Sequence, residues 1–226
     1  MGEKSFTAAR RIRWAVGFAL LLLALALFFV WSLMSGSVAL RAGEVLSAVL
    51  SGGGSDLAAD VIWKIRLPRL LAGMVLGGAL ALSGYLLQVF FHNPIAGPFV
   101  LGISSGAKLT VALALIFVLR QHRMASAAFL ILAAFAGAML SMAFVLLMAR
   151  RVRGMSMLVI SGMMIGYICS AITDFVVTFA SDADIVNLHN WSMGSFSGMS
   201  WDNVRVMTAV VAAAGVGSFL LAKPIG

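Results

Sequence analysis

Residues 14–34 read WAVGFALLLLALALFFVWSLM, about 20 positions without one charged side chain. An α-helix of that length crosses roughly 30 Å of hydrocarbon. Inside a bilayer the chain must satisfy its own backbone polar groups, so a spanning segment is a helix or a strand of a closed barrel. The apolar residues here run continuously instead of alternating, which selects the helix. Lys4, Arg10, Arg11 and Arg13 precede the run. A secretory signal has a shorter apolar core, about 7–15 residues, and a small-residue cleavage site. The segment therefore reads as a first transmembrane helix that stays attached.

The rest of the chain repeats the theme. Of its 226 residues 62% are hydrophobic and 11% charged, against about 45–50% and about 25% in soluble domains. One water-soluble core of this size cannot hide that much apolar surface. Further spans are expected at about Leu70–Phe91, Gly102–Leu119, Ala125–Met148, Met157–Phe179 and Val204–Ala222. The fold class is all-α: a polytopic transmembrane helical bundle of about six spans, in one transmembrane domain over residues 1–226. Residues 35–67 carry Arg41, Glu44, Asp56, Asp60 and the Gly52–Gly54 run, and read as an extramembrane loop with a short helix at Ala42–Leu50. Asn93-Pro94 and Gly97-Pro98 break the helix after the second span, since proline lacks a donor and restricts its predecessor. Arg120–Arg123 makes a short basic turn.

The formal net charge is +8. The cations sit between apolar runs and form no basic stripe, so they read as topology charges and not as a nucleic-acid surface. With the N-terminus inside, Lys4, Arg10, Arg11, Arg13, Lys108, Arg150, Arg151, Arg153 and Lys223 fall inside. Arg41, Lys64, Arg66, Arg69, Arg120, Arg123 and Arg205 fall outside. That orientation is the expected one, and the Lys64–Arg69 cluster runs against it. Cys169 is the one cysteine. No intrachain disulfide is possible, and a buried packing role fits its apolar surroundings.

Small residues recur at four-residue spacing: Gly73, Gly77 and Ala81; Gly102 and Gly106; Ala133, Gly137 and Ser141; Gly162, Gly166 and Ser170. In lipid such stripes let helix backbones approach closely. Polar groups within spans must be paired or line a cavity. Gln88 and Asn93 read as structurally satisfied, and Ser104 and Ser105 as shaping the break near Pro98 through backbone bonds. Asp174 is either a functional group inside its span or a carboxylate at interface depth. No catalytic set is present: His92, His122 and His189 lie in separate connecting segments. Gly102–Lys108 lacks the Gly-Lys-Ser/Thr ending of a phosphate loop.

The segment 66–108 carries a family signature. It reads Arg66-Leu67-Pro68-Arg69, then Gly77-Gly78-Ala79-Leu80-Ala81-Leu82-Ser83-Gly84 and Gln88, then Asn93-Pro94-Ile95-Ala96, then Leu101-Gly102-Ile103-Ser104-Ser105-Gly106-Ala107. It resembles the FecCD-type permeases, the BtuC-like membrane subunits of type II ABC importers. A second similar segment runs from Trp191 through Gly194 and Gly198 to Trp201. His92, Ile95 and Gly97 depart from the usual pattern. The family has about ten spans per subunit, with coupling helices for the ATPase after the sixth. On this resemblance the chain corresponds to the first part of that fold and is expected to be truncated before the coupling loop.

The resemblance implies a set of functional expectations. The chain is a transport subunit and not an enzyme, forming a pathway for an iron-siderophore complex, with haem and cobalamin as alternatives. A truncated remnant that folds without transporting is a rival reading. ABC ATPase subunits hydrolyse ATP with Mg, no cofactor or metal is bound by this chain, and a second permease copy or a paralogue completes the dimer. An extracytoplasmic substrate-binding protein docks on Arg66 and Arg69, whose guanidiniums can pair with carboxylates. Gln88, Asn93, Pro94, Gly102, Ser104, Ser105 and Gly106 form the family's structural turn. Ser161, Ser170, Thr173, Asp174, Trp191, Gly194 and Gly198 are candidates for the pathway or its gate, although interfacial anchoring explains the tryptophans equally well. The expected location is a prokaryotic cell membrane, with no nucleic-acid partner.

Overall fold

The computed structural model describes residues 2–36, 38, 40–50, 52, 57–118, 127–151 and 154–225. The Arg120–Arg123 turn, Asp56, Arg153, the expected limits at Leu119 and Ala125, and most of the Gly52–Gly54 run lie outside the described residues. The helices are α1 (Gly2–Met34), α2 (Ala42–Leu50), α3 (Leu57–Asp60), α4 (Leu67–Phe91), α5 (Ile103–Leu113), α6 (Ala127–Ala149), α7 (Met155–Val177), α8 (Asp182–Met193) and α9 (Trp201–Ile225). Among the described residues there is no strand. Five helical stretches are long and apolar enough to cross a membrane: Arg10–Met34, Leu57–Phe91, Ala128–Ala149, Met157–Val177 and Trp201–Leu221. The third expected span appears among the described residues as a shorter apolar helix, Ile103–Phe117.

One segment departs from the loop expected over 35–67. Leu57–Asp60 is helical, Val61–Arg66 is a π-helix, and α4 follows directly. Pro68 lacks the N–H of an α-helical bond and would break a regular helix. The wider turn absorbs it: the Leu67 N–H bonds to the Ile62 carbonyl, five residues back. Such widened turns are a known way for helices to carry a proline. The resulting helical stretch of 35 residues is about 50 Å long, so its charged first part, Asp60 to Arg69, extends beyond a bilayer core of roughly 30 Å.

The chain forms two compact units, the first comprising Met1–Leu76 and Phe196–Ala212, the second Gly77–Ser195 and Ala213–Gly226. The first unit has a core of Leu33, Val45, Ala48, Ala59, Ile62 and Leu67, with Trp63 and Trp201 packed against it. The Trp63 Nε1–H donates to the Ala48 carbonyl at 2.8 Å, and the Trp201 Nε1–H to the Trp63 carbonyl at 2.7 Å. The two indoles lie 6.0 Å apart, centre to centre.

The second unit is built on α5, α6 and α7. One cluster buries Phe91, Ala96, Leu101, Val145, Leu158 and Val159. Another joins Val111, Ala112 and Leu115 to Leu188 of α8, with Trp191 packed alongside. The turn leading into α5 is locally encoded. α4 ends with the His92 N–H on the Val89 carbonyl and the Asn93 N–H on the Gln88 carbonyl, the paired bonds of a Schellman motif. His92 takes the left-handed position at φ 48°. Asn93 Oδ1 then accepts the Ile95 N–H at 3.0 Å. α8 starts on a capping box, Ser181 and Asp184 each bonding the other's backbone N–H.

Candidate functional site

Close backbone approach decides the geometry of the second unit. Gly102 sits at φ 71° at the start of α5. A Cβ there would lie 2.7 Å from the Gly162 carbonyl and the Gly166 nitrogen, so glycine is required by both conformation and space. On the other side of α5, a Cβ at Gly106 would fall 1.9 Å from Ser141 Oγ, and one at Gly137 would fall 2.3 Å from the Gly106 carbonyl. Thr110 Oγ1 donates across this contact to the Ala133 carbonyl at 2.7 Å. Three of the four small-residue stripes in the sequence are therefore contact surfaces. At Gly73 and Gly77 no described atom lies within 4 Å of an added Cβ.

The α5–α7 crossing leaves a cleft of about 310 Å³, lined by Phe99, Val100, Ser105, Met163, Gly166, Tyr167 and Ser170. Gly102 and Gly166 mark the close approach of the two backbones. Gly166 has no side chain to fill the space. Ser105, Tyr167 and Ser170 are the hydroxyl-bearing residues of an otherwise apolar lining. Each hydroxyl both donates and accepts, so the cleft can bond carbonyl, hydroxyl or hydroxamate oxygens of an organic solute. Among the described residues no three His, Cys, Asp or Glu side chains converge.

The residues singled out from the sequence divide into groups. Ser105 and Ser170 meet in the cleft. Among the described residues Ser104 and Ser105 make no backbone bond at the Pro98 break, which is shaped instead by Asn93 and by Leu101 bonding the Gly97 carbonyl. Pro94 is exposed in that turn. Gly102 and Gly106 are packing contacts. Gln88 is exposed on α4. Ser161 and Thr173 bond back to their own helix, at the Met157 and Cys169 carbonyls. Thr173 is 2% exposed and faces the interior, while Asp174 is exposed. Cys169 is buried, as its surroundings suggested. Trp191 packs on the Val111–Leu115 cluster. Gly194 and Gly198 adopt φ 71° and 99° in the turn before α9, conformations that favour glycine.

Arg66 and Arg69 are placed differently from one another. Arg66 is 8% exposed, and its guanidinium donates to the Leu33 and Val38 carbonyls. Arg69 is exposed, one helical turn further on. Sequence reasoning missed this split because both acceptors are backbone carbonyls, which leave no mark in the residue pattern. It also missed Tyr167 and Met163, although both share a face of α7 with Gly166 and Ser170 at spacings of three and four residues.

Comparison with known proteins gives a consistent result. The FecCD transport family profile matches residues 22–226. Vitamin B12 import system permease proteins BtuC from Salmonella paratyphi A and Salmonella typhi are 37% identical over 202 residues, covering 89% of this chain. The chain spans 58% of the length of these curated relatives. A solved structure described as an inward-facing conformation of a metal-chelate type ABC transporter aligns with a TM-score of 0.72 at 26% identity, covering 93% of this chain and 63% of that one.

Proposed function

This chain belongs to the FecCD transport family, and from that premise we propose that it forms part of the solute pathway of an ATP-driven importer for a metal chelate, an iron-siderophore complex in particular. The observation that carries the reading is the hydroxyl-lined cleft between α5 and α7. Polar side chains in membrane helices pair with a neighbouring helix or line a passage, and Ser170 and Tyr167 are exposed here. At about 310 Å³ the cleft is at the lower end for a drug-sized ligand. A second copy, or a paralogue, presenting the equivalent cleft would enlarge the passage.

The remaining assignments follow from the family. ATP hydrolysis belongs to separate nucleotide-binding subunits with their Mg, and this chain supplies the route. An extracytoplasmic binding protein delivers the chelate at the membrane face carrying the start of α4. The N-terminus is cytoplasmic, which puts the C-terminal end of α1 and the charged Asp60–Arg69 segment outside. Cobalamin is the second reading, favoured by the 37% identity to vitamin B12 permeases.

The test is uptake into proteoliposomes holding the chain with its ATPase subunits and binding protein, using a ferric hydroxamate siderophore and cyanocobalamin as alternative solutes. Ser170→Phe fills the cleft from an exposed position and should cut uptake at least about tenfold. Ile131→Phe, on an exposed apolar position of α6, should leave it intact. Full uptake in the Ser170 variant would remove the cleft from the pathway. The preferred solute separates the two readings.

A further inference from the structure

A groove of about 490 Å³ runs along α1, lined by Arg10, Arg13, Trp14, Gly17, Phe18 and Leu21. The spacing of these positions, three or four residues apart in pairs, is that of a single helical face. From Arg10 to Leu21 the stripe is about 16 Å long, and its chemistry changes along that length. Two exposed guanidiniums, Arg10 and Arg13, stand at one end, just ahead of the apolar run that begins at Trp14. The Trp14 indole follows, an apolar ring with one N–H donor. Phe18 and Leu21, both exposed, make the other end. Gly17 lies between the rings of Trp14 and Phe18 in sequence, and an added Cβ there would meet nothing within 4 Å. The surface is therefore notched at that point. Among the described residues the ion pairs are Lys64–Asp60 and Arg205–Asp202, so neither Arg10 nor Arg13 takes part in one. The groove shares no lining residue with the α5–α7 cleft.

We propose that this face of α1 binds one anionic phospholipid, with its phosphodiester on the Arg10 and Arg13 guanidiniums and an acyl chain along the notch at Gly17. A guanidinium stays charged, and its fork of donors matches phosphate oxygens. Both arginines sit where the apolar run starts, which is headgroup depth, and an indole belongs at the interface just below. The stripe thus runs from cation through interfacial ring to hydrocarbon, in the order in which a lipid presents its phosphate, glycerol and acyl chain. Charge complementarity selects this occupant. A zwitterionic lipid carries its own cation beside the phosphate, and a second copy of the chain would set arginines against arginines. A free phosphate would leave the apolar part of the groove uncovered. The volume falls within the range of about 300–1,000 Å³ usual for small-molecule sites. Arg11 is exposed on the same turn but does not line the groove, so it separates a built site from the general attraction of basic residues to an anionic leaflet.

The experiment titrates the purified chain in neutral detergent with phosphatidylglycerol or phosphatidylcholine and reads the lipid-bound fraction by native mass spectrometry. Phosphatidylglycerol should bind first and more tightly. Arg10→Gln and Arg13→Gln should each weaken its binding at least about fivefold, while Arg11→Gln, which removes the same charge, should leave it unchanged. Gly17→Leu fills the notch, keeps every charge and improves helix propensity, and it should weaken phosphatidylglycerol to a similar degree. An excess of inorganic phosphate should not displace the lipid. Equal losses in Arg10→Gln and Arg11→Gln would overturn the site in favour of a diffuse basic surface. Undiminished binding in Gly17→Leu would remove the acyl groove, and equal retention of phosphatidylcholine would remove the anion selectivity. Displacement by inorganic phosphate would make the arginines a free-anion site and contradict the lipid assignment.

Discussion

Gly137→Ala gives the sharpest test of the α5–α6 packing. The added methyl carbon would stand 2.2 Å from Thr110 Oγ1 and 2.3 Å from the Gly106 carbonyl oxygen, where ordinary contacts begin at 3.4 Å. A rotamer change can move Thr110, but the carbonyl is backbone and cannot step aside. The helices must separate by roughly 1 Å along this line. Overpacking of this kind costs about 1–3 kcal/mol. Separation also stretches the 2.7 Å bond from Thr110 Oγ1 to the Ala133 carbonyl, and interhelical bonds in membranes are worth about 0.6 kcal/mol on average. The expected loss is therefore about 2–4 kcal/mol. Equilibrium unfolding in mixed detergent micelles measures it, with Gly77→Ala as the internal comparison. At Gly77 the space is open among the described residues, and the better helix propensity of alanine should leave stability equal or higher. A Gly137→Ala loss below about 0.5 kcal/mol, or equal losses at the two glycines, would refute the close-approach argument.

Two further effects follow from the caps. His92 holds the left-handed C-terminal position of α4 at φ 48°, so His92→Gly should stabilise by about 0.5 kcal/mol and His92→Val should destabilise by about 1 kcal/mol or more; the reverse order in thermal unfolding would contradict the assignment. Ser181→Ala removes the capping box of α8 and should cost about 1 kcal/mol, read as faster amide exchange in the first turn of α8 with α7 unaffected; exchange unchanged at Asp184 and Ile185 would count against it.

The spanning helices were legible because apolar runs in lipid need no partner to be recognised. α2 at Ala42–Leu50 and the start of α7 near Met157 followed from composition and periodicity alone. The helix over Leu57–Arg66 was hidden by its charges and by Pro68, since a π turn has no sequence marker. Arg66 read as a surface charge for a related reason: its acceptors lie about 30 residues away and are backbone atoms. The small-residue stripes showed where helices can approach, but not which do. Gly106 and Gly137 are in contact, while Gly73 and Gly77 follow the same pattern and meet no atom of the described residues. The cleft combines Ser105 from one helix with Met163, Tyr167 and Ser170 from another, and no single periodicity could have joined them.

The claim on which the functional account rests is that water and solute reach the α5–α7 cleft inside the membrane. Substituted-cysteine labelling in proteoliposomes measures this directly, with Cys169, which is buried, replaced by alanine. Ser170→Cys should react with a membrane-impermeant methanethiosulfonate reagent at least about tenfold faster than Ile131→Cys, and added chelate should slow it. Equal, slow labelling at both positions would mean that the cleft faces lipid and carries no solute.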